Sequence, residues 1–233
     1  MLTGAIELGG TKIICAVLSE DGTIMDRIRI PTTTPAEFTS SALDYFSGYC
    51  IGSLGVASFG PISLNRSSSA YGHILDTPKR PWSGFDVISA LRPLTKRIAI
   101  DTDVNCAALG EYLYGRHSGC SPLVYATIGT GIGAGVVIDG KPLHGSLHPE
   151  IGHLVIRIHD GDQFRGCCPF HGDCLEGMAS GSAICERCDV PAEDVADDDP
   201  VWELESSYLA QLVVDCIRSF SPERIILGKG VMT

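Results

Sequence analysis

The first thirty residues alternate between apolar runs and short polar breaks, a pattern that predicts strand, glycine turn, strand, hairpin and strand. Leu2 to Ile6 is largely apolar, Leu8-Gly-Gly-Thr-Lys12 interrupts it, and Ile13-Ile-Cys-Ala-Val-Leu18 resumes the run. Asp21-Gly22 is a hairpin signal, and Thr23 to Ile30 alternates as a third strand. The apolar spacing then widens to that of a helix over Pro35 to Phe46, with a threonine ahead of it for capping. Ile51 to Ser58 reads as a glycine-interrupted strand ending in Phe59-Gly60-Pro61. Phe85 to Leu94 reads as a helix, Arg97 to Ile100 as a short strand, and Asn105 to Gly115 as a helix closed by its glycine.

A second unit of the same kind follows. Leu123 to Ile128 leads into Gly129-Thr-Gly-Ile-Gly-Ala-Gly135, then Val136 to Ile138 and an Asp139-Gly140 turn. This echo of the opening predicts two α/β halves of βββαβα order, 1–116 and 117–233, facing a shared cleft. In the second half Val201 to Phe220 is an amphipathic helix and Arg224 to Leu227 a strand. A strand and glycine turn normally feed another helix, so the carboxyl end reads as truncated.

Charge and composition narrow the function. With 17 Lys and Arg against 28 Asp and Glu, the net charge of −11 argues against a nucleic-acid surface. The apolar runs are far shorter than a bilayer span, and the long uncharged stretch from Ser118 to Ile138 is broken by Pro122 and glycines, so no membrane segment is expected. The amino terminus has no basic region ahead of an apolar core, and the expected compartment is the cytoplasm. Of ten cysteines, Cys15, Cys50, Cys106 and Cys216 sit among apolar or small neighbours and are expected as buried thiols. Three others crowd into Cys167 to Cys174 with a histidine between them, a pattern of metal ligands rather than disulfides.

Three stretches carry candidate chemistry. Glu7-Leu-Gly-Gly-Thr-Lys12 and Gly129 to Gly135 each read as a tight hairpin or as a phosphate loop, and two such loops in matching positions could grip a nucleotide together. Neither has the lysine pattern of a P-loop. Asp101-Thr-Asp-Val-Asn105 stands where a strand ends and a helix begins; a carboxylate there is placed either as a general base or, through Asp103 or Asn105, as a helix cap. His153-x14-Cys168-x2-His171-x2-Cys174 has the spacing of a tetrahedral zinc site. Four protein ligands would close it, making the ion structural. Cys167 competes with Cys168 and His159 with His153, and the x2 spacing favours Cys168. Cys185-x2-Cys188 falls in an expected helix and is incidental. Glu150 and Glu176 flank the metal ligands, either as ordinary surface acids or as groups the metal holds in place. The acidic run from Glu193 to Asp199 reads as a solvated loop.

These residues resemble the ROK family of sugar kinases, in particular its bacterial fructokinase-like branch. The resemblance runs along the whole chain and includes Ser58-Phe-Gly-Pro61, Thr77-Pro-Lys79, Thr102-Asp-Val-Asn105, His148-Pro-Glu-Ile-Gly-His153, Cys168-Pro-Phe-His-Gly-Asp-Cys-Leu-Glu176 and Ile226-Leu-Gly-Lys-Gly-Val-Met232. It implies an actin-like (ribonuclease-H-like) ATPase fold of two lobes, Mg-ATP as phosphoryl donor, a hexose acceptor and a homodimer. Fructose is the hexose implied, with fructose 6-phosphate as product; glucokinases, mannokinases and N-acylmannosamine kinases of the family are the alternatives. So are a sugar-sensing regulator, whose helix-turn-helix is not seen ahead of the first strand, and an inactive zinc-stabilised fragment. By the same resemblance Asp103 is the catalytic base. Glu150, His153 and Glu176 bind sugar hydroxyls, with Gly60, Pro61, Thr102 and Asn105 beside the sugar. His153, Cys168, His171 and Cys174 hold zinc. Gly9, Gly10, Thr11, Lys12, Gly129, Thr130 and Gly131 hold phosphates, and Gly228 and Gly230 form the adenosine turn. Thr102 stands where many members have Asn, which fits the fructokinase branch, and Lys229 interrupts a turn that is usually three glycines. Loss of the metal is expected to weaken sugar binding more than nucleotide binding.

Overall fold

A computed structural model describes the chain except for His117, Lys229, Gly230, Met232 and Thr233. The first three strands form where the alternation predicts them: β1 (Leu2–Leu8), β2 (Lys12–Leu18) and β3 (Ile24–Pro31). Helix α1 (Pro35–Ser47) starts at a reciprocal cap, in which the Glu37 N–H donates to the Thr34 hydroxyl and the Glu37 carboxylate accepts from the Thr34 N–H. It is followed by β4 (Ile51–Ser58), α2 (Val87–Leu91) and β5 (Ile98–Thr102). The sheet order is β3-β2-β1-β4-β5, with β1 antiparallel to β2 and parallel to β4. Ile6 and Leu8 of β1 and Ile13, Cys15 and Val17 of β2 are buried in one core with Phe38 and Phe46 of α1. Trp82 anchors its far end: Phe38, Phe59 and Phe85 lie 5.5–5.7 Å from its ring, and its indole N–H donates to the Thr33 carbonyl at 3.0 Å.

Two boundaries differ from the sequence expectation. The helix expected from Phe85 starts later, because the Asp86 side chain accepts the Ser89 N–H at 2.9 Å and so caps α2. The strand expected to end at Ile100 runs to Thr102, which makes Asp103 the first residue of α3 (Asp103–Tyr114).

The second sheet repeats the first. It contains β6 (Leu123–Ile128), β7 (Ile132–Ile138), the two-residue β8 (Lys141–Pro142) and β9 (Arg224–Gly228), in the order β8-β7-β6-β9. Its first strand is again antiparallel to the second and parallel to the strand after the helices. Between β8 and β9 come α4 (Leu175–Ala179), α5 (Gly181–Cys188) and α6 (Val201–Phe220). The glycine-rich turn is shorter than expected. Only residues 129–131 turn, while Gly133 and Gly135 lie within β7 opposite Thr127 and Tyr125. The chain divides into two compact units, Met1–Cys106 with His144–His148, and Ala107–Leu143 with Pro149–Thr233. The division thus falls inside α3, ahead of the 116/117 position expected from the sequence, and the first unit recruits a short segment from the second half. Among the described residues no helix is long and apolar enough to cross a membrane. Cys15 and Cys216 are buried as expected and Cys106 is half-buried, but Cys50 is exposed, since it follows the last turn of α1 just before β4.

Helix α6 buries Val201, Glu205, Tyr208, Leu209, Leu212 and Cys216 along one face. Tyr208 donates to Asp162 at 2.6 Å, and Arg187 grips the same carboxylate with two bonds of 2.8 and 2.9 Å. Those Arg187 bonds hold the Asp162 carboxyl well below the usual carboxylate range. Glu205 is the exception on this face. It is 5% exposed, its Oε1 accepts no hydrogen bond, and burial pushes its carboxyl up to about 8. A group protonated in the fold but ionised in the open chain stabilises only while the unfolded carboxyl is also protonated. Its contribution is therefore whole below the unfolded value near 4.5 and is lost as pH rises toward 8, at up to ~1.4 kcal/mol per pH unit. Glu205→Gln should melt within about 1 °C of the wild type at pH 5 and several degrees higher at pH 8.5. Thermal scans across this range check it, and a constant gap between the two proteins would refute the assignment.

Candidate functional site

In the first unit, the turn joining β1 to β2 closes on itself. The Gly9 N–H donates to the Lys12 carbonyl at 3.1 Å, and a Cβ at Gly9 would lie 2.6 Å from that oxygen, so only glycine allows the closure. Thr32, just past β3, braces the turn from outside: its hydroxyl donates to the Gly9 carbonyl at 2.7 Å and its N–H to the Thr11 carbonyl at 3.2 Å. Thr11 and Lys12 remain exposed. Lys79, to which the sequence reading attached no role, lays its Cε 3.6 Å from the position a Gly10 Cβ would take. Its only sequence signal was its place in the Thr77-Pro-Lys79 motif.

Asp103 stands at the first position of α3, just beyond the carboxyl end of β5, and its carboxylate accepts the Val104 N–H at 2.9 Å. The cap of this helix is neither Asp103 nor Asn105. Thr102 supplies it, its hydroxyl accepting the Asn105 N–H at 3.2 Å. Asn105, 1% exposed, turns instead to Asp101 and donates to its Oδ1 at 2.7 Å. Burial, and after it the charges of Asp101 and Asp103, push the neighbouring Cys106 thiol up to about 12. Thr102 and Asn105 thus both serve the scaffold of the turn that carries Asp103. Gly60 lies under the His148 imidazole, where a Cβ would sit 3.1 Å from Nε2, and the Pro61 carbonyl accepts the Leu75 N–H at 2.8 Å.

The second unit brings His153, Cys168, His171 and Cys174 together, their ligand atoms all within 4.8 Å of one another. Backbone geometry makes this possible. Cys168 and Gly172 exchange hydrogen bonds of 2.9 and 3.3 Å, and Gly172 at φ +68° lets the chain double back. Cys174 then caps α4, and the Leu175 N–H donates to the Leu154 carbonyl at 3.0 Å, which draws the turn ending at His153 alongside. His153 Nδ1 lies 3.4 Å from Cys174 Sγ and 3.7 Å from Cys168 Sγ, and His171 Nδ1 lies 3.8 Å from Cys168 Sγ. Bonds of about 2.3 Å to sulfur and 2.0–2.1 Å to nitrogen around one tetrahedral ion give sulfur–nitrogen edges of about 3.6 Å, so the donors fit such an ion. Burial pushes the Cys174 thiol up to about 11, a cost that a cation at the centre would reverse. Of the two competitors, Cys167 faces the Ser180 hydroxyl at 3.9 Å and His159 faces the Asp160 carbonyl at 3.1 Å; neither joins the cluster.

The cluster continues directly into the glycine loop. Glu176, two residues past Cys174, accepts the Ile132 N–H on Oε2 at 3.0 Å, and Oε1 lies 4.0 Å from His153 Nδ1. At the start of α5 the Gly181 N–H donates to the Gly129 carbonyl at 2.7 Å, and the Ser182 hydroxyl donates to the Thr130 carbonyl at 2.7 Å. The four candidate metal ligands, Glu176 and residues 129–131, expected from the sequence to serve metal, sugar and nucleotide separately, are therefore one mechanical unit. Glu150 is exposed and opens the turn ending at His153, whose N–H donates to its carbonyl at 3.0 Å. Gly228 closes β9 opposite Thr127; Lys229 and Gly230 lie outside the described residues.

Comparison with known proteins gives the family and the fold. The family model described as the ROK family matches residues 3–233. A Bacillus subtilis (strain 168) protein is 47% identical over 232 residues, 99% of this chain and 78% of its own length. The fructokinase of Pediococcus pentosaceus is 43% identical over 233 residues, 100% of this chain and 81% of that protein. The crystal structure of a ROK family glucokinase from Streptomyces griseus, in complex with glucose and AMPPNP, superposes with a TM-score of 0.79 at 24% identity, over 99% of this chain and 84% of that one. The repeated sheets are thus those of an actin-like ATPase fold. Matched by the family model from its third residue on, and by relatives along its length, the chain belongs to the ROK family.

Proposed function

We propose that the protein is a fructokinase that transfers the γ-phosphoryl group of ATP to the 6-hydroxyl of fructose. The observation that carries the reading is the whole-chain identity of 43% with a fructokinase, against 24% with the glucokinase structure. In this reading Asp103 accepts the hydroxyl proton as the sugar oxygen bonds to the γ-phosphorus and the bond to ADP breaks. Phosphoryl transfer asks a protein chiefly for positioning and charge stabilisation. The backbone N–H groups of the turns at residues 9–12 and 129–131 hold the phosphates of Mg-ATP. Lys12 and Lys79 supply local positive charge in a chain whose net charge is −11. Glu150, His153 and Glu176 bind sugar hydroxyls, Gly60 and Pro61 border the sugar, and the assembly is a homodimer. His153, Cys168, His171 and Cys174 bind one zinc ion, which leaves no open position for a water and so orders the loop without entering the reaction.

Asp103→Asn should fold and bind fructose normally while kcat falls by roughly 10²–10⁴-fold, the usual range for a general base. Steady-state assays with a parallel fructose titration check this; a near-normal kcat would remove Asp103 from the mechanism.

The bonds from Glu176, Gly181 and Ser182 to the glycine loop alter the expectation for metal removal. Purified protein should contain one zinc per chain. Chelation should raise the KM for ATP as well as that for fructose, because the loop that holds phosphate loses its support. Metal analysis of fresh protein and KM values before and after chelation decide it; a change confined to fructose would mean that the loop stands without the metal.

A further inference from the structure

Asp101 has no part in the reaction proposed above, yet three donors converge on its carboxylate. The Thr102 N–H and Asn105 Nδ2 reach Oδ1 at 2.8 and 2.7 Å, and His144 Nε2 lies 2.9 Å from Oδ2 and 3.1 Å from Oδ1. An ionised carboxylate only accepts, so Nε2 carries the proton in this contact. His144 belongs to the short segment His144–His148 that packs with the first unit although it follows β8. The far end of that segment is fixed too, with the His148 ring lying over Gly60.

We propose that His144 is a positioning residue for Asp103 and acts through Asp101; this inference rests on the kinase reading above. Asp101 and Asp103 flank Thr102 at the junction of β5 and α3, so what holds the one holds the backbone that carries the other. The imidazole N–H holds the Asp101 carboxylate toward itself by hydrogen bonding. Held there, Asp101 anchors the Thr102 N–H and the buried Asn105 amide, the two residues on either side of the Asp103–Val104 step. The backbone that aims the Asp103 carboxylate is thereby fixed from outside the turn. Fold stability does not depend on this pair, since β5 keeps its ladder with β4 and Thr102 keeps its cap on α3. The effect belongs to geometry at the base, where a small misplacement is costly in rate.

His144→Ala and His144→Gln in the full chain test this. In the alanine variant kcat should fall about ten-fold, with the KM values for fructose and ATP within about two-fold of wild type. Calorimetric titration should still find one fructose per chain, which separates a misaimed base from a loss of folded protein. Glutamine, which keeps an N–H donor, should restore most of the rate. An alanine variant with wild-type kcat, a rate loss matched by loss of binding-competent chains, a glutamine variant no better than alanine, or an alanine variant that does not fold would each overturn the proposal. A wild-type chain that phosphorylates no hexose would instead overturn the reaction assignment, and this inference with it.

Discussion

Backbone packed directly on backbone is the constraint on which the second unit depends. A Cβ at Gly152 would run into the Ile132 carbonyl, one at Gly177 into the Gly172 carbonyl, and one at Gly181 would sit 2.8 Å from the Gly129 carbonyl. These three approaches join the turn ending at His153 to β7, α4 to the doubled-back segment between Cys168 and Gly172, and α5 to the glycine loop. No side chain longer than hydrogen fits at any of them without displacing main chain. The metal ligands, the Glu176 carboxylate and the candidate phosphate loop share one rigid frame because these contacts leave no slack between them.

That frame explains why a closed metal cluster can matter to a reaction it does not enter. An ion bound by His153, Cys168, His171 and Cys174 fixes the start of α4, and α4 carries Glu176 to the Ile132 N–H. Without a cation, two thiols and two imidazoles stand against one another at 3.4–3.8 Å, with the Glu176 carboxylate 4.0 Å from His153. If the proposed ion binds here, its binding and the local folding of this segment are one equilibrium.

The first unit braces its own turns with hydrogen bonds. Its turn at residues 9–12 is braced by Thr32, and the turn carrying Asp103 is braced by Thr102, Asn105, Asp101 and His144. Polar and charged side chains are likewise placed locally in both units: His144 bonds Asp101, Lys79 lies over Gly10, and Arg187 pairs with Asp162. A chain with so negative a net charge needs such local arrangements if it is to hold phosphates at all.

Sequence alone determined the elements whose signals are local. The strands of both halves follow from apolar runs between turn residues, α6 from its helical spacing, and the Cys/His cluster from ligand spacing, three of its members lying on one doubled-back segment. The likeness of the two halves follows from the repeated strand, glycine turn and strand, although the second sheet has four strands to the first's five. What sequence could not determine depends on partners distant in the chain. Glycine composition made residues 129–135 look like one turn, but pairing of Gly133 and Gly135 with β6 put half of it into a strand. Asp103 and Asn105 looked like caps because both residue types cap helices; the extension of β5 gave that task to Thr102. Nothing in the amphipathic pattern of α6 marked Glu205, whose burial on the inner face and raised pKa come from what packs around it. The contacts of Lys79 with Gly10 and of His144 with Asp101 had no local signal. Periodicity and spacing report which face a residue occupies within its own element, whereas the partner it meets there is set by how the chain returns on itself, and only the tertiary structure contains that.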